Sequence, residues 1–224
     1  MAAQRIALLA GATGLIGGHL LRQLLDGGGY DRVISLGRRT LPDTHPRLEQ
    51  RVVDFGALSA EAFEGVTDVF CALGTTMKQA GSEAAFRKVD HDAPLALAEL
   101  SSKAGAQQFL LVSSVGADAG SVTFYLRVKG EVERDVAAVP FASVHIFQPS
   151  MLLGERGTHR PAEAIGGAVM RGVQGIMLGP LKRYRPIEAS SVAAAMSEAA
   201  RRGKPGRHVY QYEEIVAFAA APRN

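Results

Sequence analysis

Apolar residues in this chain follow two patterns that take turns along its length. Short runs, four to seven residues long, contain Ile6-Ala-Leu-Leu-Ala10, Val33-Ile-Ser-Leu36, Thr67-Asp-Val-Phe-Cys-Ala-Leu73, Gln107-Gln-Phe-Leu-Leu-Val-Ser113 and Phe141-Ala-Ser-Val-His-Ile-Phe147. Between them the apolar positions recur every three or four residues, as on one face of a helix. Leu15 to Leu25 is the clearest case, with apolar residues at 15, 16, 20, 21, 24 and 25 and a stop at Gly27-Gly28-Gly29. A further short strand is predicted at Arg51-Val-Val53, closed by Asp54-Phe55. A long helix is expected from about Ser82 to Ala104, with a kink or break near residue 93 because Pro94 lies inside it. Val122 to Ala138 reads as another helix.

Runs that are apolar at nearly every position suit strands buried on both faces, as in parallel sheets. Their regular alternation with helices predicts an α/β fold, a doubly wound parallel sheet with right-handed crossovers. From Pro149 the pattern changes. Residues 154–186 are rich in Gly, Arg and Pro, with one helical stretch near Ala162–Met170; a helix over Ser190 to Ala200 and a strand over Arg207 to Tyr212 follow. The whole chain, 1–224, is expected to form a single Rossmann domain, with 149–224 as a small C-terminal substrate-side lobe.

The first strand ends in Gly11-Ala-Thr-Gly14-Leu-Ile-Gly17, directly before the first helix. Gly11 permits a tight turn, Gly14 lets backbone approach a pyrophosphate, and Gly17 lets helix pack on strand, while the helix start offers free N–H groups to the anion. The spacing is a variant of the usual dinucleotide pattern, G-x-x-G-x-x-G. At the end of the second strand, where a site for NAD usually has an acid, stand Arg38 and Arg39. Two guanidinium groups there suit the 2′-phosphate of NADP(H).

A second constellation follows the fifth strand. Ser113-Ser114 falls at the carboxyl end of that strand, where ligands bind in such sheets. Tyr125-Leu-Arg-Val-Lys129 comes next, a pair at i and i+4 that shares one face of a helix. An ammonium beside a phenol favours the phenolate, so the phenol can exchange a proton near neutral pH.

Together with the glycine turn, these residues resemble the short-chain dehydrogenase/reductases of the atypical or extended type. Cys71-Ala-Leu-Gly-Thr-Thr76, Val89-Asp-His-Asp92, Leu111-Val-Ser-Ser-Val-Gly-Ala-Asp118 and Tyr125 to Glu133 narrow the resemblance to the group containing the Tat-interacting oxidoreductase of animals and its bacterial relatives. The likeness spans essentially the whole chain and loosens after Gly154. It implies an NADP-dependent hydride transfer between nicotinamide and a carbonyl or alcohol, with Ser114 polarising the substrate, Tyr125 as acid/base and Lys129 on the nicotinamide ribose. It places Thr13, Leu15 and Ile16 with the glycines around the pyrophosphate, Asp54 and Phe55 at the adenine, and Leu73 and Gly74 along the nucleotide path. Pro149 and Met151, within Gln148-Pro-Ser-Met-Leu152, fall at the nicotinamide end, and pairing of two chains through the Tyr125 helix or its neighbour is implied.

One departure stands out. Many family members hold a proton-relay water with an Asn on the long helix, and the only Asn here is Asn224; Asp90 falls near the equivalent region. A cofactor-binding regulatory or adaptor protein with little turnover is therefore the alternative, and a nucleotide-sugar epimerase or dehydratase a third reading.

Composition trims the list. The single cysteine, Cys71, leaves no internal disulfide, and the scattered histidines 19, 45, 91, 145, 159 and 208 lack metal-ligand spacing. No apolar run reaches the roughly 18 residues that cross a bilayer, and no signal-peptide pattern opens the chain. A net charge of +3 with only short basic clusters gives no reason to expect a nucleic-acid partner. A cytoplasmic location and a small-molecule substrate are the expectations.

Overall fold

The computed structural model describes residues 4–154 and 178–221. Seven parallel strands form the central sheet: β1 (Ile6–Ala10), β2 (Arg32–Gly37), β3 (Leu48–Val52), β4 (Asp68–Cys71), β5 (Gln108–Val112), β6 (Ser143–Phe147) and, later in the chain, β9 (Gly206–Tyr210). Their order is β3-β2-β1-β4-β5-β6-β9, and every pairing is parallel. The chain thus runs outward from β1 to one edge, returns, and fills the other side from β4. This is the doubly wound Rossmann arrangement, and the reversal places a crevice between β1 and β4.

Strand residues alternate between two cores because successive side chains point to opposite faces. Ala7 and Leu9 of β1, with Val33, Phe70, Leu110 and Phe147, pack against α1 (Leu15–Asp26) and a late helix over Ala189–Arg202. Ile6, Leu8 and Ala10, with Ile34, Val69, Phe109 and Ile146, pack against α4 (Ala93–Lys103) and α5 (Phe124–Ala137). Both faces of the sheet are therefore covered, which is why its central strands read as unbroken apolar runs.

Between β4 and α4 lie α2 (Met77–Ala80) and α3 (Glu83–Arg87); the Thr76 and Ser82 hydroxyls cap their first turns, accepting from Gln79 and Ala85 N–H. The helix continues through a π turn over Lys88–Asp92 into α4. The break expected near residue 93 is this π turn, just ahead of Pro94. Pro94 itself sits in the first turn of α4, where a missing N–H costs least.

The chain after β6 adds β7 (Leu152–Leu153) and β8 (Ile187–Glu188), paired in a small parallel sheet of their own. It then forms α6 (Ala189–Arg202), β9 and α7 (Tyr212–Ala219). So residues past 149 serve both this small sheet and the main layers. The third strand lies upstream of the expected Arg51–Val53: it is half-exposed along its length, at the sheet edge, and carries no clean alternation. The helical stretch anticipated at Ala162–Met170 lies outside the described residues.

Candidate active site

Because all seven strands are parallel, the segments that follow them meet along one edge. Gly11 to Gly14 follow β1, Arg38 and Arg39 follow β2, Asp54 and Phe55 follow β3, Leu73 and Gly74 follow β4, Ser113 and Ser114 follow β5, and Gln148 to Met151 follow β6. The fold thus brings the residues singled out in the sequence to the same edge, around the β1/β4 crevice.

The three glycines differ in what they do. Gly11 has a φ of +94°, and an added Cβ would lie 2.5 Å from the Ala72 carbonyl oxygen. A Cβ on Gly17 would come within 2.0 Å of the Gly11 carbonyl oxygen, so helix and turn touch backbone to backbone there. Gly14 is the N-cap of α1, donates its N–H to the Gly11 carbonyl at 2.9 Å, and is exposed. Its Cβ would meet only Gly11 O at 3.2 Å and Ala72 O at 3.9 Å. Among the described residues, the space beside Gly14 is open and no side chain caps the helix start. That fits an anionic group approaching the backbone. Exposed Thr13 and half-buried Leu15 flank this turn, and Ile16 is buried in the core.

Arg38 and Arg39 are exposed, with no ion-pair partner among the described residues. Asp54 uses one carboxylate oxygen to accept from Gly56 N–H at 2.9 Å, closing a turn that holds half-buried Phe55 against the α4/α5 core. Leu73 packs on the same core, and Gly74 faces Asp90, whose Oδ1 would lie 3.5 Å from an added Cβ.

Lys129 is 5% exposed, and its ammonium pairs with Asp90 Oδ1 at 2.7 Å. The other Asp90 oxygen accepts from Thr75 N–H at 2.8 Å. One carboxylate, buried in the π turn, thus joins the α5 lysine to the loop after β4. Two further contacts lock the end of α3 and the π segment onto α5: Arg87 with Glu131 at 2.5 Å, and His91 with Asp135 at 2.9 Å. Tyr125 lies one turn before Lys129, its ring 5.6 Å from that of Phe86 and its hydroxyl without a hydrogen-bond partner among the described residues. Ser114 is half-buried and makes only a 3.4 Å contact to the carbonyl of Val115, so its hydroxyl can turn to a ligand. Pro149 is buried, while Met151 is 55% exposed at the mouth of the edge.

Two positions were not singled out in the sequence. Gly130, next to Lys129, is where the 116–121 loop lies on α5: a Cβ there would fall 2.1 Å from Ala119 N. Glu133, a turn beyond Lys129, is buried, and burial pushes its carboxyl above the usual range. Cys71 is fully buried, its thiol pushed up to about 12 by desolvation, which suits a packing residue.

A doubly wound parallel sheet with a glycine turn at its switch point defines a dinucleotide-binding fold. A family model described as NAD(P)H-binding matches residues 11–166, and the chain belongs to that family. It is 41% identical over 160 residues to Protein HTATIP2 of Rattus norvegicus, an alignment covering 69% of this chain and 66% of the rat protein, just under two thirds of its length. It is 34% identical over 199 residues to Protein FMP52, mitochondrial, of Eremothecium gossypii, covering 86% of this chain and 89% of that one. Among solved structures, MoeE5 in complex with UDP-glucose and NAD superposes with a TM-score of 0.68 at 21% identity, covering 96% of this chain and 80% of that one, a likeness of fold. The resemblance drawn from the motifs therefore stands. The cytoplasmic expectation does not: relatives from Eremothecium gossypii, Candida glabrata and Aspergillus niger are all named mitochondrial.

Proposed function

We propose that this protein is an NADP(H)-dependent oxidoreductase of the short-chain dehydrogenase/reductase type, moving hydride between the nicotinamide and a small carbonyl or alcohol substrate. The observation that carries this reading is the placement of Tyr125 and buried Lys129 on one face of α5, the helix that follows the Ser114 turn at the carboxyl edge. The dinucleotide, when bound, supplies the hydride chemistry. Gly11, Thr13, Gly14, Leu15, Ile16 and Gly17 bind its pyrophosphate through the β1–α1 turn. Arg38 and Arg39, which have no carboxylate partner among the described residues, take the 2′-phosphate bidentately. Asp54 and Phe55 border the adenine, Leu73 and Gly74 line the path inward, and Pro149 and Met151 close the nicotinamide end.

Ser114 Oγ orients the substrate oxygen by a hydrogen bond, and the Tyr125 hydroxyl gives its proton to that oxygen in reduction or accepts it in oxidation. Lys129, fixed by Asp90, would hold the nicotinamide ribose and supply positive charge one helical turn from Tyr125. Residues 149–224 provide the substrate side of the single domain. Calorimetric titration with NADPH and NADH, followed by a panel of aldehydes, ketones and quinones scored for NADPH oxidation, tests the reading. Tight NADPH binding and turnover of at least one carbonyl support it; no binding of either nucleotide overturns it.

A further inference from the structure

Tyr125, Lys129 and Glu133 stand at i, i+4 and i+8 of α5, so they occupy one face on consecutive turns. The first two belong to the proposed chemistry. Glu133 does not, yet it is as buried as Lys129, at 5% exposed. Both of its oxygens accept from a single amide, Gln148 Nε2, at 3.0 and 2.9 Å. Gln148 is gripped from two other sides: its Oε1 accepts from Gln211 Nε2 at 2.9 Å, and its own N–H donates to the Tyr210 carbonyl at 2.8 Å. Gln211 in turn is the N-cap of α7, in a reciprocal box with Glu214.

Gln148 opens the segment that follows β6. Pro149 O accepts from Val115 N–H at 3.0 Å, which ties that segment to the turn carrying Ser114. Met151 O accepts from Ile187 N–H at 2.9 Å, and the Ser150 hydroxyl donates to the Arg185 carbonyl, which tie it to β8. One carboxylate on α5 therefore holds, through one amide, both turns that frame the substrate side of the site.

We propose that Glu133 is a positioning residue, which fixes the turns at Ser114 and at Pro149–Met151 by anchoring Gln148. A buried carboxylate bonded to a neutral amide, with no guanidinium or ammonium hydrogen-bonded to it among the described residues, is a costly way to fill this place. The groups facing it are Lys129 one turn back on α5, Gln148 after β6, Arg207 of β9, and the buried Ser113 hydroxyl, which points toward it without completing a hydrogen bond. Desolvation outweighs them all and raises its carboxyl. A raised value in the folded state means that ionising Glu133 above the ordinary carboxylate range works against folding. Stability alone would therefore favour a neutral amide at this position, whereas a carboxylate offers Gln148 the stronger acceptor.

The test uses the whole protein, first without added nucleotide. Glu133→Gln should speed hydrogen exchange in the segments 113–118 and 149–153 by at least ~10-fold while its melting temperature at pH 7.5 stays equal or rises. The swapped pair Glu133→Gln/Gln148→Glu, which restores an amide donating to a carboxylate with polarity reversed, should return exchange to the wild-type rate. Gln148→Ala reads the same two segments from the other end should Glu133→Gln fail to fold. The functional consequence rests on the NADP(H) reading above: NADPH affinity should fall by about 5-fold or more in Glu133→Gln and recover in the swapped pair. Wild-type exchange in both segments of a folded Glu133→Gln protein would overturn the proposal, and faster exchange with NADPH affinity unchanged would overturn its functional consequence. A wild-type protein that binds no NADPH would sink the cofactor reading instead, and the exchange result would still decide the role of Glu133.

Discussion

Lys129 Nζ lies 2.7 Å from Asp90 Oδ1, with the two side chains only 7% and 1% exposed. The pair closes a gap between elements far apart in sequence, the π turn and α5. The residue near the position where the resemblance leads one to expect an Asn is an acid, and it holds Lys129 directly. The second Asp90 oxygen secures Thr75 N–H, so the loop after β4 hangs on the same group.

Removing one partner of such a pair leaves the other charge buried and uncompensated, at a cost of about 3–5 kcal/mol. Asp90→Ala should therefore lower unfolding free energy by roughly that amount in urea titrations, with Lys129→Met milder because it leaves Asp90 its bond from Thr75. A loss of less than about 1 kcal/mol in Asp90→Ala would show that the pair contributes little.

The glycine turn makes a prediction that separates folding from binding. Gly17→Ala forces a Cβ to within 2.0 Å of a backbone carbonyl and should destabilise the protein severely. Gly14→Ala meets only a 3.2 Å contact and should fold, yet weaken NADPH at least ~10-fold by filling the space the pyrophosphate needs. Calorimetry on the folded Gly14→Ala protein checks this, and unchanged affinity would reduce the motif to a simple turn.

Much of this was legible because it is local. The glycines at 11, 14 and 17 and the Tyr125/Lys129 spacing are each set within one turn or one helix, and the unbroken apolar runs are what two covered sheet faces require. The rest depends on contacts between distant segments. Asp90 could be placed near the site from sequence, but its pairing with Lys129 is fixed only by how the π turn docks on α5. Glu133, Gln148 and Gln211 come from three separate elements, and nothing in their spacing announces that they meet. β3 was misplaced because Leu48-Glu-Gln-Arg-Val52 is an edge strand with no single buried face. The short helix Tyr212–Ala219 went unnoticed, since its one fully buried residue, Ile215, gives no periodic stripe.

In the proposed reading, cofactor choice turns on Arg38 and Arg39. With no carboxylate paired to them among the described residues, both are available to a phosphate, and NADPH should bind at least ~10-fold more tightly than NADH, about 1.4 kcal/mol. The double change Arg38→Ala/Arg39→Ala should erase the difference. Equal affinities in the wild-type protein would refute the assignment.

His145 gives a pH dependence independent of catalysis. It sits inside β6, stacked on His208 and Tyr210, with Nδ1 3.0 Å from the Tyr210 hydroxyl. Burial, with His208 as the second cause, lowers it from 6.5 to about 4. The unfolded chain therefore binds the proton first as the medium acidifies. The stability His145 contributes is complete above about pH 6.5 and is lost as pH falls towards 4, on the order of 2–3 kcal/mol. Glu133, with its raised carboxyl, works in the opposite sense over the acid side of that range. His145→Gln should flatten the fall in melting temperature between pH 6.5 and 4.5; an unchanged slope would locate the acid sensitivity elsewhere.

The central claim is tested most directly by the turnover of Tyr125→Phe with NADPH and a carbonyl substrate found in the panel. Loss of the proton donor should cut kcat by about 10²–10⁴-fold, with NADPH affinity within about 3-fold of wild type, because the phenol acts on the substrate oxygen. A Tyr125→Phe protein that reduces the same substrate at the wild-type rate would contradict the account.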